Sequence, residues 1–121
     1  RTGLHARIGI HWGEVVLKRN EDVFVRAGAK MIELEGMAKP VAARIMSLAG
    51  GGQILLSHDA RIVSENRTNA YTPPNTHFKA LGKYKLKGVK KPMLVHAVGV
   101  KHSDFRLPEE NSNVKILHGQ T

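Results

Sequence analysis

The stretch Arg7-Ile8-Gly9-Ile10-His11-Trp12-Gly13-Glu14-Val15-Val16 alternates, with Ile8, Ile10 and Trp12 in every second place and Arg7, Gly9 and His11 between them. A period of two is that of a half-buried β-strand, and it puts Trp12 where core packing accounts for it. Gly13 interrupts before Glu14-Val15-Val16-Leu17, which marks a tight turn or bulge between two strands.

Working outward from that strand, residues 18–22 are polar and read as a loop. Val23-Phe24-Val25 is strand-like, and residues 27–32 could form a turn of helix. Residues 40–49 are rich in helix formers, with Val41, Ile45 and Leu48 on one face. Pro40 suits the first helical turn, where a missing N–H costs nothing. Gly50-Gly51-Gly52 is expected to end the helix by supplying a positive φ at its C-terminus. Gln53-Ile54-Leu55-Leu56 reads as a short buried strand. Ser57 then caps a helix to about Asn66, with Asp59 favoured in its first turn. The Pro73-Pro74 region is a loop. Residues 78–86 and 93–100 are two strands joined by the hairpin connection Lys87-Gly88-Val89-Lys90-Lys91-Pro92. From Lys101 the pattern fades into a polar tail. This order indicates an α+β fold, with helices on one face of a mainly antiparallel sheet.

Composition limits the function classes. At 121 residues the chain can bury one modest core. It is 41% hydrophobic and 24% charged, as in ordinary globular proteins. No apolar run approaches the roughly 20 residues that span a bilayer. Neither an initiator Met nor a signal-peptide pattern opens the chain, which reads as a piece of a longer protein. Cysteine is absent, which excludes disulfides and thiolate metal sites and fits a reducing compartment, so a cytoplasmic location is expected. The net charge of +9 suggests an anionic partner, and Lys79, Lys83, Lys85, Lys87, Lys90 and Lys91 form the densest basic region. Such a region is equally the solvated face of a strand and its turn. A basic α+β module that binds nucleic acid is one reading of it. With aromatics at 5%, however, the chain is poor in the rings on which bases stack.

Three segments, in order and with compatible gaps, resemble the class III adenylate/guanylate cyclase homology domain. Arg7-Ile8-Gly9-Ile10-His11-Trp12-Gly13-Glu14-Val15-Val16 looks like that family's R-I-G-I-H-x-G-x-V-V strand and turn. Glu33-Leu34-Glu35-Gly36 through Val41-Ala42-Ala43-Arg44, then Gly52-Gln53-Ile54-Leu55-Leu56-Ser57, is similar to its helix start and following strand. Leu81-Gly82, Leu86-Lys87-Gly88-Val89 and Pro92 resemble its closing L-G-x-x-x-L-K-G hairpin. The resemblance covers residues 5–100 and implies the C-terminal portion of a ferredoxin-like nucleotide cyclase fold. Residues 1–100 would be that part of the domain, and 101–121 a tail or linker to a further region.

In this family a 3′-hydroxyl attacks the α-phosphate of its own nucleoside triphosphate and pyrophosphate leaves. The resemblance therefore implies ATP or GTP as substrate, Mg²⁺ or Mn²⁺ for the complete domain, and a homodimer or a cyclase-domain partner. Cyclic AMP is the more expected product. Arg44 stands where the family has its transition-state arginine, and a guanidinium offers forked donors to phosphate oxygens. Lys87 matches the lysine that meets the triphosphate. Glu33, eleven residues before Arg44, stands where many members carry an acid that reads the purine, and a shifted alignment would put Glu35 there. The family's metal aspartates precede the strand at residues 7–11, so this chain is expected to hold no metal and to be inactive alone. Asp22 and Asp59 are in the wrong context to replace them.

Pro40 is a departure inside the matched region. It sits one helical turn before Arg44, where the family has an asparagine that orients the ribose, and proline offers no side-chain hydrogen bond. Two versions follow: an active domain in which other groups replace that contact, or a degenerate domain that dimerises and regulates. The seven histidines form no spaced ligand motif, and His11 is expected to be structural.

Overall fold

A computed structural model of the chain describes residues 5–19, 21–22, 26, 28, 32–66, 72–109 and 114–116. The expectations for residues 23–25 and most of 27–32 lie outside these, and Ile32, expected in a turn of helix, instead begins a strand. Strand β1 (Ile8–Ile10) is followed by β2 (Val16–Arg19) and β3 (Ile32–Glu35), which pair with each other antiparallel as a separate two-stranded sheet. Helix α1 (Ala38–Leu48) comes next, then β4 (Ile54–Ser57) and helix α2 (His58–Asn66). Strands β5 (His77–Leu86) and β6 (Met93–Gly99) form a hairpin, and β7 (Val114–Ile116) adds to its edge. The main sheet runs β1-β4-β6-β5-β7. Only its β1–β4 pair is parallel, with α1 in the connection as a parallel crossover requires. The α+β class is the one expected.

α1 forms where its apolar residues recur, and Val41, Ile45 and Leu48 are all buried. Pro40 lies in the first turn, ahead of the first helical bond from Val41 N to Met37 O at 2.9 Å, so no intrahelical bond is lost. The helix does not stop as expected. Ala49 takes an extended conformation and ends it, while the positive φ belongs to Gly52, in the turn that leads to β4. Against α1 pack Leu55 of β4, Val95 and Ala97 of β6, and Leu81, Tyr84 and Leu86 of β5, which with the three helix residues and Ala49 make the core.

The face of β1 corrects the sequence reading. Ile8, Ile10 and Trp12 are 42%, 45% and 57% exposed, so Trp12 is not a core residue. Gly9 faces the helix instead, and a Cβ there would collide with Met46 N and Ala42 O. α1 approaches β1 too closely for any side chain, which leaves the isoleucines on the other side.

α2 is held differently and refines the one-face arrangement. Its His58 and Arg61 reach His96 and Phe78, whose neighbours in the β-ladder, Leu56 and Val98, alternate with the core residues Leu55 and Ala97. Phe78 is half-buried with the Arg61 guanidinium 3.8 Å above its ring, rather than packed in the core. A β-bulge lies between Ala80 and Gly82 of β5.

Past Lys101, where apolar periodicity fades, the chain still docks. A 3₁₀ turn at His102–Phe105 is closed by the Asp104 carboxylate, which accepts from Val100 N and Lys101 N at 2.9 and 3.0 Å. These backbone donors hold the Asp104 carboxyl below its ordinary range. The buried Gln53 amide donates to the carbonyls of Asp104 and Arg106 at 3.1 and 2.9 Å.

Candidate functional site

Arg44 and Lys87, 43 residues apart in sequence, meet in the structure. The Arg44 Nε donates to the Lys87 carbonyl at 2.7 Å. Arg44 is half-buried on α1, one residue before Ile45, so its aliphatic stem leaves the helix beside the core. Lys87 is the first residue after β5, in a turn closed by Val89 N to Leu86 O at 3.0 Å. Gly88 there has φ +84°, a left-handed conformation suited to glycine. The first turn of α1 also abuts this hairpin, since a Cβ on Gly88 would lie 3.8 Å from Met37 Cε. Two cationic side chains thus share one corner of the fold, with the Lys87 side chain exposed. That corner suits an anion with several oxygens.

Glu33 is placed elsewhere. It lies on β3 opposite Lys18, in the two-stranded sheet, and its side chain is outside the described residues. Among the described residues no group of three His, Cys, Asp or Glu could hold a metal ion.

Two histidine contacts lie apart from this corner. His11 Nδ1 is hydrogen-bonded to Ser57 Oγ at 2.8 Å, and that oxygen also accepts from Ala60 N at 3.1 Å, capping α2. Burial lowers the His11 pKa, and Asp59 partly opposes this. His58 Nδ1 and His96 Nε2 are 3.0 Å apart. Their ring centroids are 5.3 Å apart with the planes 18° from parallel, the span of two rings joined nitrogen to nitrogen, so they share a hydrogen end to end. The His96 pKa is lowered by burial, then by His58 and Arg61, against Glu65. No sequence signal marks the second pair, whose members are 38 residues apart on a helix and a strand.

Known proteins bear on this arrangement. No family model matches the chain. A receptor-type adenylate cyclase of Trypanosoma brucei brucei, ESAG 4, is 34% identical over 92 residues, 76% of the chain. GRESAG 4.1 of the same organism, also a receptor-type adenylate cyclase, is 32% identical over 95 residues, 78% of the chain. The chain spans about 7% of the length of either relative. A solved structure of a Trypanosoma brucei adenylate cyclase in its monomeric state matches with a TM-score of 0.61 and 26% identity, over 96% of this chain and 44% of that one. This chain belongs to the class III nucleotide cyclase homology-domain family. A second solved adenylate cyclase of that organism, at TM-score 0.58 and 24% identity, shares the fold.

Within this cyclase domain the Arg44–Lys87 corner is distinct from a cavity of about 340 Å³ at the far end of α1. The cavity is lined by Ser47, Gln53, Arg106 and Glu109 among others, and by neither Arg44 nor Lys87. Among the described residues no helix is long and apolar enough to cross a membrane.

Proposed function

We propose that this chain is part of an adenylate cyclase catalytic domain and supplies Arg44 and Lys87 to the triphosphate of ATP. The reading rests on the 2.7 Å contact between Arg44 Nε and the Lys87 carbonyl, which puts both cations at one corner. In the reaction the 3′-oxygen bonds to the α-phosphorus, the bond to pyrophosphate breaks, and the hydroxyl proton is lost. Negative charge grows on the phosphate oxygens and the leaving group. A fixed guanidinium stabilises that charge without reorganising, and the Lys87 ammonium neutralises the departing phosphates. Arg44 spends Nε on the turn, which directs the guanidinium and leaves its terminal nitrogens to face an anion. ATP is favoured over GTP because both curated relatives are named adenylate cyclases. The acid that reads the purine is Glu33.

Mg²⁺ or Mn²⁺ would supply nucleophile activation and charge neutralisation in the complete domain. The described residues do not offer a ligand set for it. The metal is then held by residues beyond those described, the site is completed by a second cyclase domain, and the chain alone is inactive. Pro40 favours a second reading, a degenerate domain that dimerises without turnover, because it has no group to orient the ribose.

Cyclic AMP formation by a complete domain containing this chain, with ATP and Mg²⁺ or Mn²⁺, separates the two readings. The active reading requires turnover that falls by on the order of 10²–10³ in Arg44→Ala. An Arg44→Ala protein as active as its parent would refute the role given to that arginine. Nucleotide-independent dimerisation without turnover supports the degenerate reading.

A further inference from the structure

The turn that carries Lys87 is held by another lysine. The Lys85 Nζ donates to the Val89 carbonyl at 2.7 Å and to the Lys90 carbonyl at 2.6 Å. Lys85 is two residues before Lys87 on β5, and Tyr84 and Leu86 on either side of it are buried in the core. Its strand neighbour across the β5–β7 ladder is Lys115, directly opposite in the register. A like charge in that position disfavours an ammonium lying over the sheet. Lys79, Lys83, Lys87, Lys90 and Lys91 are the other charged groups of this strand and its turn. Amid this repulsion, Lys85 is half-buried and bound to two main-chain oxygens. Charge-assisted bonds of this length are the stronger kind, and one ammonium joining two successive carbonyls fixes the path of the chain between them.

We infer that Lys85 is a positioning residue for the phosphate-binding corner. It clamps the Val89 and Lys90 carbonyls and so holds the Lys87–Gly88 peptide in its left-handed turn. That presents the Lys87 carbonyl to Arg44 Nε and turns the Lys87 ammonium outward. The order of dependence runs from Lys85, through the turn, to the guanidinium on α1. Lys85 itself does not touch the ligand. The role rests on the reading that Arg44 and Lys87 bind triphosphate.

The test uses the full chain, with inorganic tripolyphosphate as probe. Binding is measured by calorimetry, and hydrogen exchange of the Arg44 Nε–H by ¹⁵N NMR. Lys85→Gln is expected to weaken tripolyphosphate binding about tenfold and to accelerate that exchange. Lys85→Arg restores both. Lys115→Gln, which removes the same charge across the ladder, changes neither by more than about twofold. Circular dichroism melting shows whether each variant is folded, and the exchange reading is taken on folded protein. The positioning role is overturned if Lys85→Gln keeps wild-type affinity and exchange, or if Lys115→Gln weakens binding as much, which would make the effect one of net charge. A wild-type chain that fails to bind tripolyphosphate, while Lys85→Gln still frees the Arg44 Nε–H, overturns the phosphate reading and leaves the clamp standing.

Discussion

The two helices are fastened to the sheet by different chemistry. α1 is held by apolar contact: three buried side chains and a glycine that lets its backbone touch β1. α2 has one buried apolar residue, Ala60, and its other ties are the His11–Ser57 and His58–His96 hydrogen bonds and the Arg61–Phe78 contact. His11 and His96, whose pKa values burial lowers, are part of those ties. The helix that carries Arg44 is thus fastened by apolar contact, and the helix that carries no candidate site residue by polar contacts that include histidines.

Breaking α1 is expected to have the largest effect. Ile45 is fully buried, and Ile45→Ala should cost about 2–5 kcal/mol in urea unfolding. Gly9→Ala comes next, at about 1–3 kcal/mol, because the added methyl meets helix backbone that cannot give way. If Gly9→Ala is neutral by the same measurement, the close approach of α1 to β1 is wrong.

The contrast sharpens with pH. His11 and His96 both have pKa values lowered from an ordinary 6.5, so the unfolded chain takes up protons first as pH falls. Their contribution to stability is present above that value and is lost as pH drops through 6.5 toward the lowered values. Melting temperature should therefore fall from pH 7.5 to 5.5, and His96→Gln should flatten that slope. Amide exchange should quicken in α2 before α1 over the same interval, and equal acceleration in both would erase the distinction. The smallest effect is that of Arg61→Ala, about 0.5–1 kcal/mol, through loss of the ring contact and the 3.3 Å pair with Glu65.

Much of this was legible in the sequence. The succession of helices and strands from α1 to β6, the apolar stripe of α1 and the β5–β6 hairpin follow from periodicity and turn residues, whereas β3 and β7 do not: β3 lies in a stretch with mixed strand and helix signals, and β7 in a polar tail. Arg44 and Lys87 came from a resemblance, which periodicity could not have paired. What stayed hidden has physical reasons. Alternation in β1 separates two faces without saying which is buried; Gly9, flanked by Arg7 and His11, was the clue that a backbone lies close. The 3₁₀ turn after Lys101 is held by Asp104 and Gln53 bonding to main chain, and such bonds leave no apolar period. The His58–His96 and Lys85 contacts join residues whose individual types are ordinary for a surface.

The bulge between Ala80 and Gly82 reaches further than its single extra residue. Before it, the even-numbered Phe78 and Ala80 of β5 lie beside Val98 and His96, on the side that α2 touches. After it, the even-numbered Tyr84 and Leu86 are in the α1 core. One strand therefore serves both helices by changing phase midway. Removing a residue there would leave the sequence of the turn intact and rotate it by half a strand period, exposing Leu86 and driving Lys85 toward the core. The face on which Lys85 and Lys87 emerge is thus decided six residues upstream of Lys87, by a count of backbone units, before any side chain of the turn acts.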